Sequence, residues 1–285
     1  MQIQGEEKTD NITLIFGSFY PYYEFTKGVV GEIHTTKQFV PAKADIHHWV
    51  IRHQDIIQLK SATAIVYNGL GAEPYINKLI DSKEFVNVTF IDASINIDTI
   101  HVKSDHNNQN IRTKIDPHIW LDPILVKKQI QNIGEELILI DPSNEKKYRQ
   151  NMLEYNERLD DLNEDIKSKF VNCKYNSVIV SHNAYEYFAQ RYDIDIISTH
   201  GFTDYIEITA QSIRQFIDTV REKNIKFIID DDARDSRMVQ ILGDEIGIDI
   251  LYASTIESIN SEEEITYFDK MKNIAHVFKT ARGCN

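Results

Sequence analysis

Along the first 140 residues, short apolar runs rich in β-branched side chains alternate with polar-apolar stretches of helical spacing. That alternation predicts an α/β unit on a parallel sheet. Strands are expected at Ile12–Phe16, Ile33–Val40, Ala64–Tyr67 and Val86–Ile91, with helices at Tyr22–Val30, near Arg52–Leu59 and from about Pro74. The stretch Asn96–Lys114 is polar and rich in Asn and Asp. It reads as a loop of roughly 20 residues, a length that in compact domains usually serves a function.

Tyr148, Met152, Tyr155, Leu159, Leu162, Ile166 and Phe170 recur at spacings of three and four. This predicts one helix over Asn144–Phe170, about 40 Å long, started by an Asp141 cap and Pro142. It reads as a rigid rod connecting two lobes, with a plain surface helix of the second lobe as the alternative. Past Phe170 the alternation resumes. Strands are expected at Ser177–Val180, Ile194–Ser198, Ile225–Asp230 and Asp249–Ala253, and helices at Ala184–Arg191, Thr209–Lys223, Ser236–Ile246 and Glu262–Lys279. The expected organisation is an N-terminal α/β lobe (1–143), a connecting helix (144–170) and a C-terminal α/β lobe (171–285), with a ligand cleft between the lobes.

Charge narrows the function. With 31 basic against 44 acidic side chains, the net charge of -13 repels phosphate backbones and makes nucleic acid a poor partner. No apolar run reaches the length of a membrane span, and the opening MQIQGEEKTDN lacks an apolar signal core, so the expectation is a cytosolic protein or an exported one whose signal segment is absent from this chain. Cys173 and Cys284 are too few for a cysteine-based zinc site. They could form one bridge, implying an oxidising compartment, or remain two thiols.

Open α/β sheets bind ligands beyond the carboxyl ends of their strands. Few polar residues fall there. His47 follows the second strand across Pro41-Ala42-Lys43-Ala44-Asp45, His118 sits in Asp116-Pro117-His118, His182 follows Val178-Ile179-Val180-Ser181, and Glu257 lies four residues past Ala253. Three imidazoles and a carboxylate, two from each half, match the ligand count and type that Zn²⁺ prefers in tetrahedral geometry. Singly, each reads as a hydrogen-bonded or solvated group; the case rests on their meeting. His48 is expected to face away from His47. Asp231, inside Asp230-Asp231-Asp232, reads as at best an outer or alternative ligand, His101 and His106 as solvated loop residues, and His34, His53, His200 and His276 as structural. Gly69-Leu70-Gly71 reads as a tight turn. HExxH, G-x-S-x-G, Walker and G-x-G-x-x-G signatures are missing.

These residues resemble the cluster A-I solute-binding proteins that deliver zinc or manganese to ABC importers. The likeness runs through Phe19-Tyr20-Pro21, Val40-Pro41, Ala44-Asp45-Ile46-His47 and Val66 to Glu73, and is strongest in DPHIWLDP (Asp116–Pro123) and VSHNAYEYFAQRY (Val180–Tyr192). The resemblance implies two lobes joined by one long helix, with metal ligands at His47, His118, His182 and Glu257. Manganese members replace the third His with Glu and use Asp as the fourth ligand, so His182 places the chain with the zinc type, in keeping with the preference of Mn²⁺ for oxygen. The sequence departs from the family in three places. The histidine-rich insert is reduced to a short loop with His101 and His106, Asp231 stands where Glu is usual, and Asp193 replaces a helix-ending glycine.

The expected function is extracytoplasmic capture of Zn(II) and delivery to the permease of an ABC importer, by a monomer that is not an enzyme and is free or lipid-anchored. The alternatives are a manganese-binding member, an adhesin on the same fold, or a zinc hydrolase with three His, an activated water and Glu257 as base.

Overall fold

The computed structural model describes residues 14–42, 44–104, 112–198, 210–231, 237–257 and 265–285. Four short strands, β1 (Leu14–Gly17), β2 (Thr35–Gln38), β3 (Ala64–Tyr67) and β4 (Thr89–Asp92), form an all-parallel sheet in the order β2-β1-β3-β4. Parallel pairing demands crossovers, supplied by α1 (Tyr20–Val30), α2 (His53–Leu59) and α3 (Ile76–Ile80). The inner strands are apolar throughout, as burial on both faces requires. The second lobe repeats the design with β7 (Ser177–Val180), β8 (Asp195–Ser198), β9 (Phe227–Asp231) and β10 (Asp249–Ala253), ordered β10-β9-β7-β8 and again parallel. The remaining elements are β5 (His101–Ser104), β6 (Arg112–Ile115), α4 (Pro123–Ile140), α5 (Glu145–Lys169), α6 (Glu186–Arg191), α7 (Ala210–Glu222), α8 (Arg237–Ile246) and α9 (Tyr267–Arg282).

The joining helix is α5, 25 residues long, and its expected apolar stripe is buried from Tyr148 to Ile166. It lies close against its neighbours because two glycines let it. A Cβ on Gly28 of α1 would sit 2.3 Å from the Tyr155 ring, and one on Gly134 of α4 would sit 2.0 Å from Met152 Sδ. Helix α9 crosses the same rod, with Phe268 stacked 5.2 Å from Tyr155. One hydrophobic cluster therefore runs from Ile15 through α4 and α5 to Ala281 and joins the undersides of both sheets.

Several expectations are corrected. The stretch Asn96–Lys114 is not a plain loop: it holds β5 and most of β6, which pair antiparallel with His101 opposite Ile115, and His106 lies outside the described residues. Helix α4 was not anticipated, although Asp122 caps it by accepting from Ile124 N and Pro123 occupies its first turn. The expected Asp141-Pro142 helix start becomes a short turn, Pro142–Asn144, and Asp141 does not cap α5. Its carboxylate instead gathers Ser143, Asn144, His34 and Tyr148, which outweigh burial and hold it far below the usual carboxylate range. His34, read as lacking a partner pattern, thus lies 2.8 Å from Asp141. The fourth strand starts at Thr89 rather than Val86, since Lys83–Phe85 forms a helical turn first. The last helix starts at Tyr267 rather than Glu262, where Thr266 and Asp269 cap each other reciprocally.

Gly69-Leu70-Gly71 is a turn with all three residues at positive φ, and Asp193 takes the left-handed conformation in place of glycine just past α6. Cys173 and Cys284 are bridged, and Lys174 N and Tyr175 N both donate to Arg282 O beside the bridge. None of the described helices is long and apolar enough to cross a membrane.

Candidate metal centre

Each candidate ligand leaves the carboxyl end of a strand or the turn beyond it. His47 stands in a turn held by Asp45, whose carboxylate accepts from His47 N at 2.9 Å, while buried Ile46 pins the turn to the core. His118 opens the helical turn Ile119–Leu121 that leads into α4. His182 follows β7 by two residues, and Glu257 follows β10 by four. The residue before Glu257 is strained: Ile256, fully buried and β-branched, holds φ at 63°, a conformation that costs about 1–3 kcal/mol. Its N–H is taken by Ser254 Oγ at 3.0 Å, and buried packing holds the kink that turns Glu257 inward.

The four side chains converge. Their donor atoms all lie within 4.8 Å of one another, the single such His and carboxylate group among the described residues. Glu257 Oε1 is 3.4 Å from His118 Nε2 and 3.7 Å from His47 Nε2. The three imidazole rings stand edge to face, 5.3 to 6.4 Å apart between centroids. Zinc bonds of about 2.0–2.2 Å place tetrahedral ligand atoms about 3.3–3.6 Å apart, so the arrangement needs little adjustment to close on an ion. His118, His182 and Glu257 are buried and His47 is partly open to solvent.

Further carboxylates lie behind the candidate ligands. Asp116 Oδ1 accepts from His118 N at 2.9 Å and lies 2.6 Å from His118 Nδ1, leaving Nε2 to face the centre. Asp231 Oδ2 lies 3.7 Å from His182 Nδ1 and accepts from Thr255 Oγ1 at 3.3 Å, which places it behind the imidazole. Burial disfavours charge on His118, but Asp116 and Glu257 outweigh it and push its pKa up to about 9. Burial also opposes ionisation of Glu257, yet His118, His47 and His182 hold it well below the carboxylate range. An ionised carboxylate among three imidazoles, largely buried, offers the donor set of a cation site.

The other candidates fall elsewhere. His48 points to solvent beside Asp45, His101 is exposed on β5, and His53 and His276 are exposed on their helices. His106, His200 and Asp232 lie outside the described residues. Of the supporting carboxylates, Asp231 stands behind His182 as an outer residue, as expected, while Asp116 was missed. Asp116 was legible in Asp116-Pro117-His118, where an acid two residues before an imidazole can reach its ring. The strain at Ile256 carries no local signal.

Residues 15–281 match the protein family described as zinc-uptake complex component A, periplasmic (ZnuA). The high-affinity zinc uptake system protein ZnuA of Bacillus subtilis strain 168 is 28% identical over 277 residues, covering 94% of this chain and 86% of that protein. The zinc-binding protein AdcA of Streptococcus pyogenes serotype M6 is 26% identical across 92% of this chain, and the chain spans about half (53%) of its length. Among solved structures, a zinc-bound ZnuA deletion mutant superposes with a TM-score of 0.81 at 26% identity, covering 95% of this chain and 98% of that one.

Proposed function

This chain belongs to the ZnuA family of periplasmic zinc-uptake components, and from that premise we propose that it captures Zn(II) between its lobes and hands it to the membrane permease of an ABC importer. The observation that carries the reading is the convergence of His47, His118, His182 and Glu257 within 4.8 Å. These four are the proposed ligands. Three neutral imidazoles and one carboxylate complete a tetrahedron, so no position is left for an activated water, and the centre holds an ion instead of turning over a substrate. Imidazole at the third position favours Zn²⁺ over Mn²⁺. The Cys173–Cys284 bridge fits work outside the reducing cytosol, as the family's periplasmic description does.

Isothermal titration of the metal-stripped protein with Zn²⁺ is expected to show one tight site, with Mn²⁺ displaced in competition. His118→Ala and His182→Ala should each weaken zinc binding by at least a hundredfold; full affinity in either variant would remove that residue from the ligand set. Steady hydrolysis of an ester or phosphate by the zinc form would replace the capture reading with the hydrolase one.

A further inference from the structure

The polar hairpin β5–β6 and the His118 segment share one rung of hydrogen bonds, and that rung is incomplete by itself. Since His101 pairs with Ile115, the next pair along the antiparallel ladder is Ile100 with Asp116. A closely bonded antiparallel pair exchanges two N–H···O bonds. Here only one is direct, from Asp116 N to Ile100 O at 2.9 Å. The other is interrupted by a side chain from the opposite lobe. Tyr187 of α6 inserts its hydroxyl, which accepts from Ile100 N at 3.0 Å and donates to Asp116 O at 2.8 Å.

The insertion is held in place. The Tyr187 ring is buried with Ile97, Ile119 and Leu125, with Leu70 and Ile100 against them. From the same Asp116, the carboxylate runs on to both His118 N and His118 Nδ1. A continuous line of bonds therefore joins the hairpin, the C-terminal lobe and the imidazole whose Nε2 faces Glu257.

We propose that Tyr187 is a positioning residue for the metal centre: by completing the Ile100–Asp116 rung from the opposite lobe, its hydroxyl fixes Asp116, and through it His118, and ties the hairpin to the retention of zinc. This rests on the capture reading above. It concerns the lifetime of the bound ion more than the ligand count, because every ligand survives loss of the hydroxyl. Partners behind a metal-bound imidazole change affinity about 10–100-fold, and Tyr187 stands one bond further out. An acceleration of zinc release of about 5–10-fold is therefore expected.

The test is Tyr187→Phe, which keeps the ring and its packing. Zinc release from the full chain would be followed by chelator chase, and hydrogen exchange at the Ile100 amide with and without zinc. Tyr148→Phe serves as control, since it too removes a bonded hydroxyl, there donating to Asp141, remote from the centre. The expected result is faster zinc release and a deprotected Ile100 amide in Tyr187→Phe, with release unchanged in Tyr148→Phe. If Tyr187→Phe lowers the melting temperature but releases zinc at the wild-type rate, Tyr187 is merely structural and the proposal is overturned. Unprotected exchange at Ile100 in the wild-type protein overturns it without any variant. Failure of the wild-type chain to bind zinc would instead sink the capture reading, and the exchange at Ile100 would still report on the rung.

Discussion

In the metal-free protein at pH 7 the His118 imidazole carries a proton, since its pKa is pushed up to about 9 by Asp116 and Glu257 against the effect of burial. Zinc needs that nitrogen bare, so binding must expel the proton. The sign follows. A folded-state pKa above the unfolded value near 6.5 stabilises the metal-free fold fully below that pH, and the contribution fades as pH rises through 9. Apparent zinc affinity should therefore climb by up to about tenfold per pH unit from pH 7 and level off near 9. Titration at pH 7 in buffers of different ionisation heat should reveal about one proton released from His118; a flat affinity between pH 7 and 9 would contradict this. Asp116→Asn removes the charge that orients and primes the ring, and should weaken zinc by about 10–100-fold while leaving the fold intact. At this scale the sequence was legible where function depends on residue type and position after a strand, which is why His47, His118, His182 and Glu257 could be named as candidates. It was silent on Ile256 at φ 63°. A β-branched residue is among the last that local preference assigns to left-handed backbone, and only the surrounding packing imposes it.

Among the elements, the long helix was the most legible because its apolar stripe, Tyr148 to Phe170, repeats over about six turns. Helix α4 carries comparable signals, Leu125, Val126, Ile130, Ile133 and Leu137 behind an Asp122-Pro123 start. Its start is masked because Asp122-Pro123 is also the end of the ligand segment DPHIWLDP, so one dipeptide closes that motif and caps the helix. The β5–β6 pair was hidden for a different reason: each strand has four residues, and the Asn-rich polar sequence between them outweighs them in any composition window. What no pattern reveals is how closely two helices approach. Gly28 is a helix-interior glycine, where alanine ordinarily gains about 1 kcal/mol. Its Cβ would meet the Tyr155 ring at 2.3 Å, a rigid group wedged between α1 and α9, and overpacking of that kind costs about 1–3 kcal/mol or more. Gly28→Ala should therefore destabilise the protein by about 1–2 kcal/mol in urea titration; a stabilised variant would mean that α5 can move away from α1.

For the whole molecule, the question is whether the lobes close on zinc or wait for it already closed. The segment from Asp116 to Asp122 belongs to the first lobe by chain order, yet it is fastened to the second along its length. Tyr187 holds Asp116 O, Trp120 Nε1 donates to Thr255 O at 2.9 Å, and Tyr267 donates to Trp120 O at 2.8 Å. Arg191 grips both carboxylate oxygens of buried Asp122 at 2.8–3.0 Å. Beneath these ties lies a hydrophobic cluster common to both sheets, crossed by α5. A hinge motion would have to pull the bidentate Arg191 guanidinium off the buried Asp122 carboxylate, leaving that carboxylate without its cation, and open apolar core to water. His47 is held differently. Its turn is fixed by Asp45 and Ile46 within its own lobe, and of the four proposed ligands its side chain alone is partly open to solvent. Zinc entry is therefore expected to involve the turn around His47 and not a rotation of lobes. Small-angle X-ray scattering of metal-stripped and zinc-loaded protein should give the same radius of gyration within error, while hydrogen exchange over Val40–Arg52 slows on loading. A clear contraction in the scattering curve would show that these clamps give way, and that the energy of metal binding is spent on closing the cleft.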